Sequence, residues 1–101
     1  MVRNHLRFAI SDVTFAGQSL PGATVDEWVD ERGQTQWIAR VVTRHAPTID
    51  EGVLRGRTAR GEEISGVIGA INRHGAPSGR GETLCELQGS GELTRLAKPA
   101  T

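Results

Sequence analysis

The sequence predicts an all-β fold, a small antiparallel barrel or compact sandwich of about six to seven strands built from hairpins. Three observations lead there. Thirteen glycines and four prolines are dispersed between short apolar runs, which matches many turns and few long helices. Two Arg-Gly pairs, Arg32-Gly33 and Arg60-Gly61, each divide segments rich in Val, Ile, Leu and Thr, as hairpin turns do. The run from Ile64 to Ile71 is too apolar for an exposed edge and reads as the central strand, the second arm of a hairpin that starts at Val53 and turns at Arg60-Gly61. A barrel is preferred because closure removes edges and glycines let strands bend at its corners.

Taken in order, Leu6, Phe8 and Ile10 alternate with Arg7, Ala9 and Ser11 and give a strand with one apolar face. Val13 and Phe15 have the opposite parity, so a bulge near Ser11-Asp12 is needed to return them to that face. Gln18 to Gly22 reads as a loop containing a Pro-Gly turn. Thr24 to Gly33 has two readings. Thr24-Val25-Asp26-Glu27 matches a helix capping box, but a hairpin pairing Val25 to Glu31 with Gln34 to Thr43 is preferred, since so short a helix is marginal. A two-residue loop would set Trp28 directly opposite Trp37. A three-residue loop with Gly33 left-handed would put the two on opposite faces.

Arg44 to Gly52 is a polar connection, and Asn72 to Gly81 reads as a flexible loop. Thr83 to Leu87 is a strand, Gly89-Ser90-Gly91 a bulge or bend, and Glu92 to Leu96 a closing strand or one helical turn. The chain forms one domain over residues 1–101, with residues 1–4 and 97–101 expected to fray.

Twelve basic and twelve acidic residues cancel, so no global field draws the protein to nucleic acid or an anionic membrane. A nucleic-acid partner is not expected. A modest basic zone runs through Arg55, Arg57, Arg60, Arg73 and Arg80. One cysteine, Cys85, excludes an internal disulfide framework and fits a reducing compartment. No apolar run has the length of a signal peptide or a membrane span, so a cytoplasmic location is expected. Eleven of the basic residues are Arg, as the coding bias of a GC-rich bacterial or phage genome would produce.

The search for chemistry returns little. His5, His45 and His74 are far apart in the chain and none has a second ligand at metal spacing, so no metal site is assigned and no cofactor is expected. Cys85 lies in an apolar strand and reads as core. The loop Gly75 to Gly81 has the glycines and the arginine of a phosphate cradle, but it lacks the Lys-Ser/Thr ending of a P-loop and precedes a strand.

Arg40-Val41-Val42-Thr43-Arg44 has the R-x-x-x-R spacing of PilZ domains, and Glu63-Ile64-Ser65-Gly66-Val67-Ile68-Gly69 resembles their D/N-x-S-x-x-G element. The resemblance implies binding of cyclic di-GMP, with Arg40 and Arg44 clamping its phosphates and guanine beside Glu63 and Ser65. Glu63 stands where that element has Asp or Asn, and Gly69 comes one residue late. Arg40 lies inside a predicted strand and Arg44 at its end, where the family has a flexible segment before the barrel.

The function expected is therefore non-catalytic. The chain reads as an interaction or assembly module, in the manner of a subunit of a larger bacterial or phage structure, that binds a protein partner or itself through a sheet face or edge. Trp28, Trp37, Arg55 and Arg57 are the interface candidates, because Trp and Arg are enriched at hot spots. The alternative is a nucleotide- or anion-binding regulatory domain using Arg40, Arg44, Glu63 and Ser65.

Overall fold

The computed structural model describes residues 3–75 and 80–96, with the side chains of Arg3 and Asn4 left aside. Its strands are β1 (Arg3–Phe15), β2 (Gln18–Leu20), β3 (Ala23–Val29), β4 (Thr35–Thr43), β5 (Gly52–Arg57), β6 (Glu63–Gly75) and β7 (Thr83–Leu96). All pair antiparallel in one sheet of order β2-β1-β3-β4-β7-β6-β5, and a further β1–β5 pairing closes the sheet into a ring. The all-β barrel is thus present, and no helix occurs among the described residues. β1 already begins at Arg3, inside the segment expected to fray.

Strand β1 organises the closure because it uses both of its edges. The pairs Ile10↔Ala23 and Val13↔Leu20 share one register, so β2 and β3 run end to end along the same edge, broken at Pro21-Gly22. The other edge takes β5, from Ser11 to Phe15. Here the expected bulge appears: the register shifts between Ser11 and Thr14, and Asp12 adopts φ 50°. The extra residue turns Val13 and Phe15 inward to join Ile10 in the core.

The stretch expected to be a loop from Gln18 is partly strand. Ala16 and Gly17, at φ 49° and 82°, close a two-residue loop whose positive dihedrals match the twist of a hairpin, and β2 follows at once. The β3–β4 and β5–β6 hairpins share a different design. Asp30 N–H donates to Gln34 O and Gly33 N–H to Asp30 O, while Thr58 N–H donates to Glu62 O and Gly61 N–H to Thr58 O. Gly33 and Gly61 sit at φ 79° and 83° in these three-residue loops. In both, the leading side chain also caps the loop: Asp30 Oδ1 accepts from Arg32 and Gln34 N–H, and Thr58 Oγ1 from Glu62 N–H. The hairpin reading of Thr24 to Gly33 therefore holds, in its three-residue form, and Trp28 and Trp37 point to opposite faces.

Asn72 to Gly75, expected in a loop, continue β6. Each pairs with β7, from Asn72↔Glu86 to Gly75↔Thr83, so the partner strand supplies backbone hydrogen bonds that the residues' own propensity does not favour. Arg73 reaches sideways from this arm to the 44–51 connection, donating to Pro47 O at 2.9 Å and Asp50 Oδ1 at 2.8 Å. The bend at Gly89 to Gly91 is present within β7, with Gly91 at φ 84°.

Trp37 fills the centre of the barrel at 2% exposure, its Nε1–H donating to Gly91 O at 3.0 Å. Gly66 and Gly89 flank the indole so closely that a methyl group on either would overlap the ring. Near this level the ring of strands loosens. β4 pairs with β7 no farther than Gln88, and β5 stops at Arg57, so β1-β3-β4 and β5-β6-β7 become two facing layers. Arg95 bridges them, holding both carboxylate oxygens of the buried Glu27 and lying 5.3 Å over the Phe8 ring. The Glu27 hydrogen bond holds the Arg95 guanidinium above its usual range.

Candidate functional site

The outer face of β1, β3 and β4 carries the densest chemistry among the described residues, and its centre is Asp26. On β3 the side chains of Thr24, Asp26 and Trp28 point outward, because Val25 and Glu27 take the inward positions. Register then decides the neighbours. Arg7 lies directly across on β1 and Ile38 directly across on β4, while His5 and Arg40 occupy the diagonals. Arg7 Nε donates to Asp26 Oδ1 at 2.8 Å, His5 Nε2 lies 2.9 Å from the same oxygen, and Arg40 Nη1 donates to Oδ2 at 2.5 Å.

From Arg40 the chain of charges continues across the sheet. Arg40 Nε donates to Glu86 Oε2 at 3.1 Å, and Glu86 Oε1 lies 2.9 Å from His74 Nε2. Two of the three histidines read as isolated in the sequence therefore sit at opposite ends of one five-strand network, through β1, β3, β4, β7 and β6. The Arg7 hydrogen bond is the main cause holding the Asp26 carboxyl below its ordinary range, and the Arg40 hydrogen bond does the same for Glu86. Both stay ionised.

Burial differs sharply between the partners. The Asp26 side chain is 5% exposed, whereas those of Arg7, His5 and Arg40 are 68%, 51% and 40% exposed. The carboxylate lies under a single layer of side chains, two arginines and a histidine. Beside them Trp28, half-buried, and Ile38 add apolar surface, and the six residues His5, Arg7, Asp26, Trp28, Ile38 and Arg40 line an open depression of about 370 Å³. Among the described residues neither Nη of Arg7 has a partner, and Nη2 of Arg40 has none.

The other residues singled out in the sequence are scattered around the barrel. Trp37 is in the core, away from any surface. Arg55 and Arg57 point outward from β5, opposite Ser65 and Glu63 of β6, and neither makes an ion pair among the described residues. Arg40 lines the depression, and Arg44 lies just past the end of β4. Ser65 pairs with Thr94 of β7, whereas Arg40 pairs with Glu86, eight residues earlier on that strand. The structure does not bring the two PilZ-like elements together. The loop Gly75 to Gly81 includes residues 76–79, which lie outside the described residues. Cys85 is buried in the core, and burial raises its thiol pKa. No group of three metal-ligating side chains occurs among the described residues, and none of their helices could cross a membrane, since they contain none.

Asp26, Arg7, His5 and Glu86 are missing from the candidates drawn from the sequence. A signal was there: Asp26-Glu27 places two acids in the middle of a strand, where carboxylates persist when cations on neighbouring strands hold them. Naming those cations requires the register. Compared with known family models, curated proteins and solved structures, the chain matches none.

Proposed function

We propose that this protein is a non-catalytic interaction module, a component of a larger assembly, that binds a protein partner through the outer face of β1, β3 and β4. One observation carries the reading: Trp28 lies outside the barrel, half-buried in a depression whose walls are Arg7, His5, Ile38 and Arg40. Trp and Arg set together in a partly desolvated hollow have the composition of an interface hot spot. The ion network beneath fixes the rotamers of Arg7 and Arg40 before any partner arrives, which lowers the entropy cost of binding. A nucleotide- or anion-binding domain draws less support, because Arg40 already donates to Asp26 and Glu86 and the remaining elements of that site stand elsewhere.

Selection from a displayed random-peptide library tests the proposal, since selected peptides converge on surfaces already suited to binding. Clones chosen against the wild-type protein are expected to lose binding to Trp28→Ala and keep it to a variant carrying Arg55→Ala and Arg57→Ala. Clones indifferent to Trp28→Ala would overturn it.

A further inference from the structure

We infer that the partner presents an acidic side chain next to an apolar or aromatic one, docked with its carboxylate on Arg7 and its apolar neighbour on Trp28 and Ile38. This rests on the protein-binding role proposed for the face and specifies its chemistry.

The argument begins with hydrogen-bond valence. Arg7 offers Asp26 its Nε, which leaves the end-on N–H of each Nη group pointing away from that bond, and neither Nη has a partner among the described residues. A guanidinium held in this way keeps an end-on pair of donors, which matches the two oxygens of a carboxylate. Arg40 keeps one further donor, Nη2, on the opposite wall.

Charge points the same way. Of the groups lining the depression, Arg7 and Arg40 are cationic and Asp26 is anionic, which leaves one positive charge with the histidine neutral. Glu86 lies beyond Arg40 and shares its guanidinium, so the two arginines and two carboxylates of the network balance; their exposure does not, since Arg7 is 68% and Arg40 40% exposed against 24% for Glu86 and 5% for Asp26, and the charge that faces solvent is positive. The carboxylate that would repel an acidic partner is the one group hidden from it, at 5% exposure beneath the arginines. Asp30, the nearest acid toward the β3–β4 turn, is tied to Gln36 and to backbone N–H groups of its own loop. The exposed Nη pair of Arg7 matches one carboxylate, and a phosphate seated there would leave Trp28 and Ile38 without a complementary surface.

The test uses the full chain labelled with ¹⁵N-tryptophan, whose two indole N–H signals are distinguished by a Trp28→Phe variant. Three probes are titrated in low salt: a random copolymer of Glu and Tyr, a random copolymer of Lys and Tyr, and inorganic phosphate. The Glu,Tyr copolymer is expected to shift the Trp28 signal and leave the Trp37 signal in place. Affinity should weaken at least about tenfold in Arg7→Gln, the loss of one charge-assisted pair, and should fall again as salt is raised. An unmoved Trp37 signal in Arg7→Gln verifies that the variant is folded. A Trp28 shift with the Lys,Tyr copolymer instead keeps the face as a protein-binding surface and overturns its acidic partner. A response unchanged by Arg7→Gln, or an equal response to phosphate alone, also overturns the inference. Silence of Trp28 toward both copolymers overturns the inference and the protein-binding role together.

Discussion

Gly89→Ala is a one-methyl change with a large expected cost. Residue 89 has no left-handed backbone, so the effect is steric. The added carbon would overlap the centre of the Trp37 indole at Cδ2, Cε2 and Nε1, not the end of a flexible side chain. The ring has little room to slide along the sheet, because Gly66 meets it at Cζ2 and Cη2 almost as closely as Gly89 does at Cε2, and Nε1–H is tied to Gly91 O. Either the indole leaves its slot and loses that bond, or β7 moves off β6. Overpacking costs about 1–3 kcal/mol and a lost hydrogen bond about 1 kcal/mol. The sum, about 2–4 kcal/mol, lowers Tm by at least roughly 8 °C at about 4–8 °C per kcal/mol for a domain of this size. Thermal unfolding followed by circular dichroism measures it. Trp37→Leu removes the obstructing ring and should recover part of the loss, so the double-mutant cycle should return a favourable coupling of at least about 1 kcal/mol. A Gly89→Ala protein within about 0.5 kcal/mol of wild type, or purely additive mutations, would refute the slot as described.

Four further outcomes follow from the same structure. Asp26→Asn should cost about 1–2 kcal/mol at neutral pH, since its three partners are 40–68% exposed and each such contact contributes well under its buried value; urea unfolding checks this. The folded carboxyls of Asp26 and Glu86 bind protons less readily than in the unfolded chain. Their contribution is therefore complete above the ordinary carboxylate range and lost as pH falls through and below about 4. Asp26→Asn should flatten that acid limb of the stability curve. Cys85, fully buried with its thiol pKa raised, should react with a disulfide reagent such as DTNB only at the rate of unfolding. Acrylamide should quench Trp28 and spare Trp37, so a uniform quenching profile would contradict the placement of the two rings.

Local chemistry carried most of the fold into the sequence. Parity along Leu6 to Phe15 was enough to demand a bulge at Ser11-Asp12, and the Arg-Gly turns declared two hairpins, because alternation and positive φ are written residue by residue. What stayed illegible depended on partners distant in sequence. Asn72 to Gly75 have the composition of a loop and become strand because β7 pairs with them. Ala16 gives no hint of the positive φ it adopts opposite Val53. The site was the least legible part. Asp26 joins Arg7, 19 residues away, with Arg40, 14 residues away, and nothing in the order of residues ranks that set above Arg40 with Arg44. The same acids that hold the strand network together, Asp26-Glu27, look in isolation like the first turn of a helix.

The most direct test of the central claim is the fraction of library-selected peptides whose binding depends on Trp28. If the outer face of β1, β3 and β4 is the interaction surface, most clones lose binding to Trp28→Ala and weaken in Arg7→Gln, while the variant altered at Arg55 and Arg57 retains them. If most clones bind Trp28→Ala as they bind wild type, the depression is a structural ion network and the interaction surface lies elsewhere on the barrel.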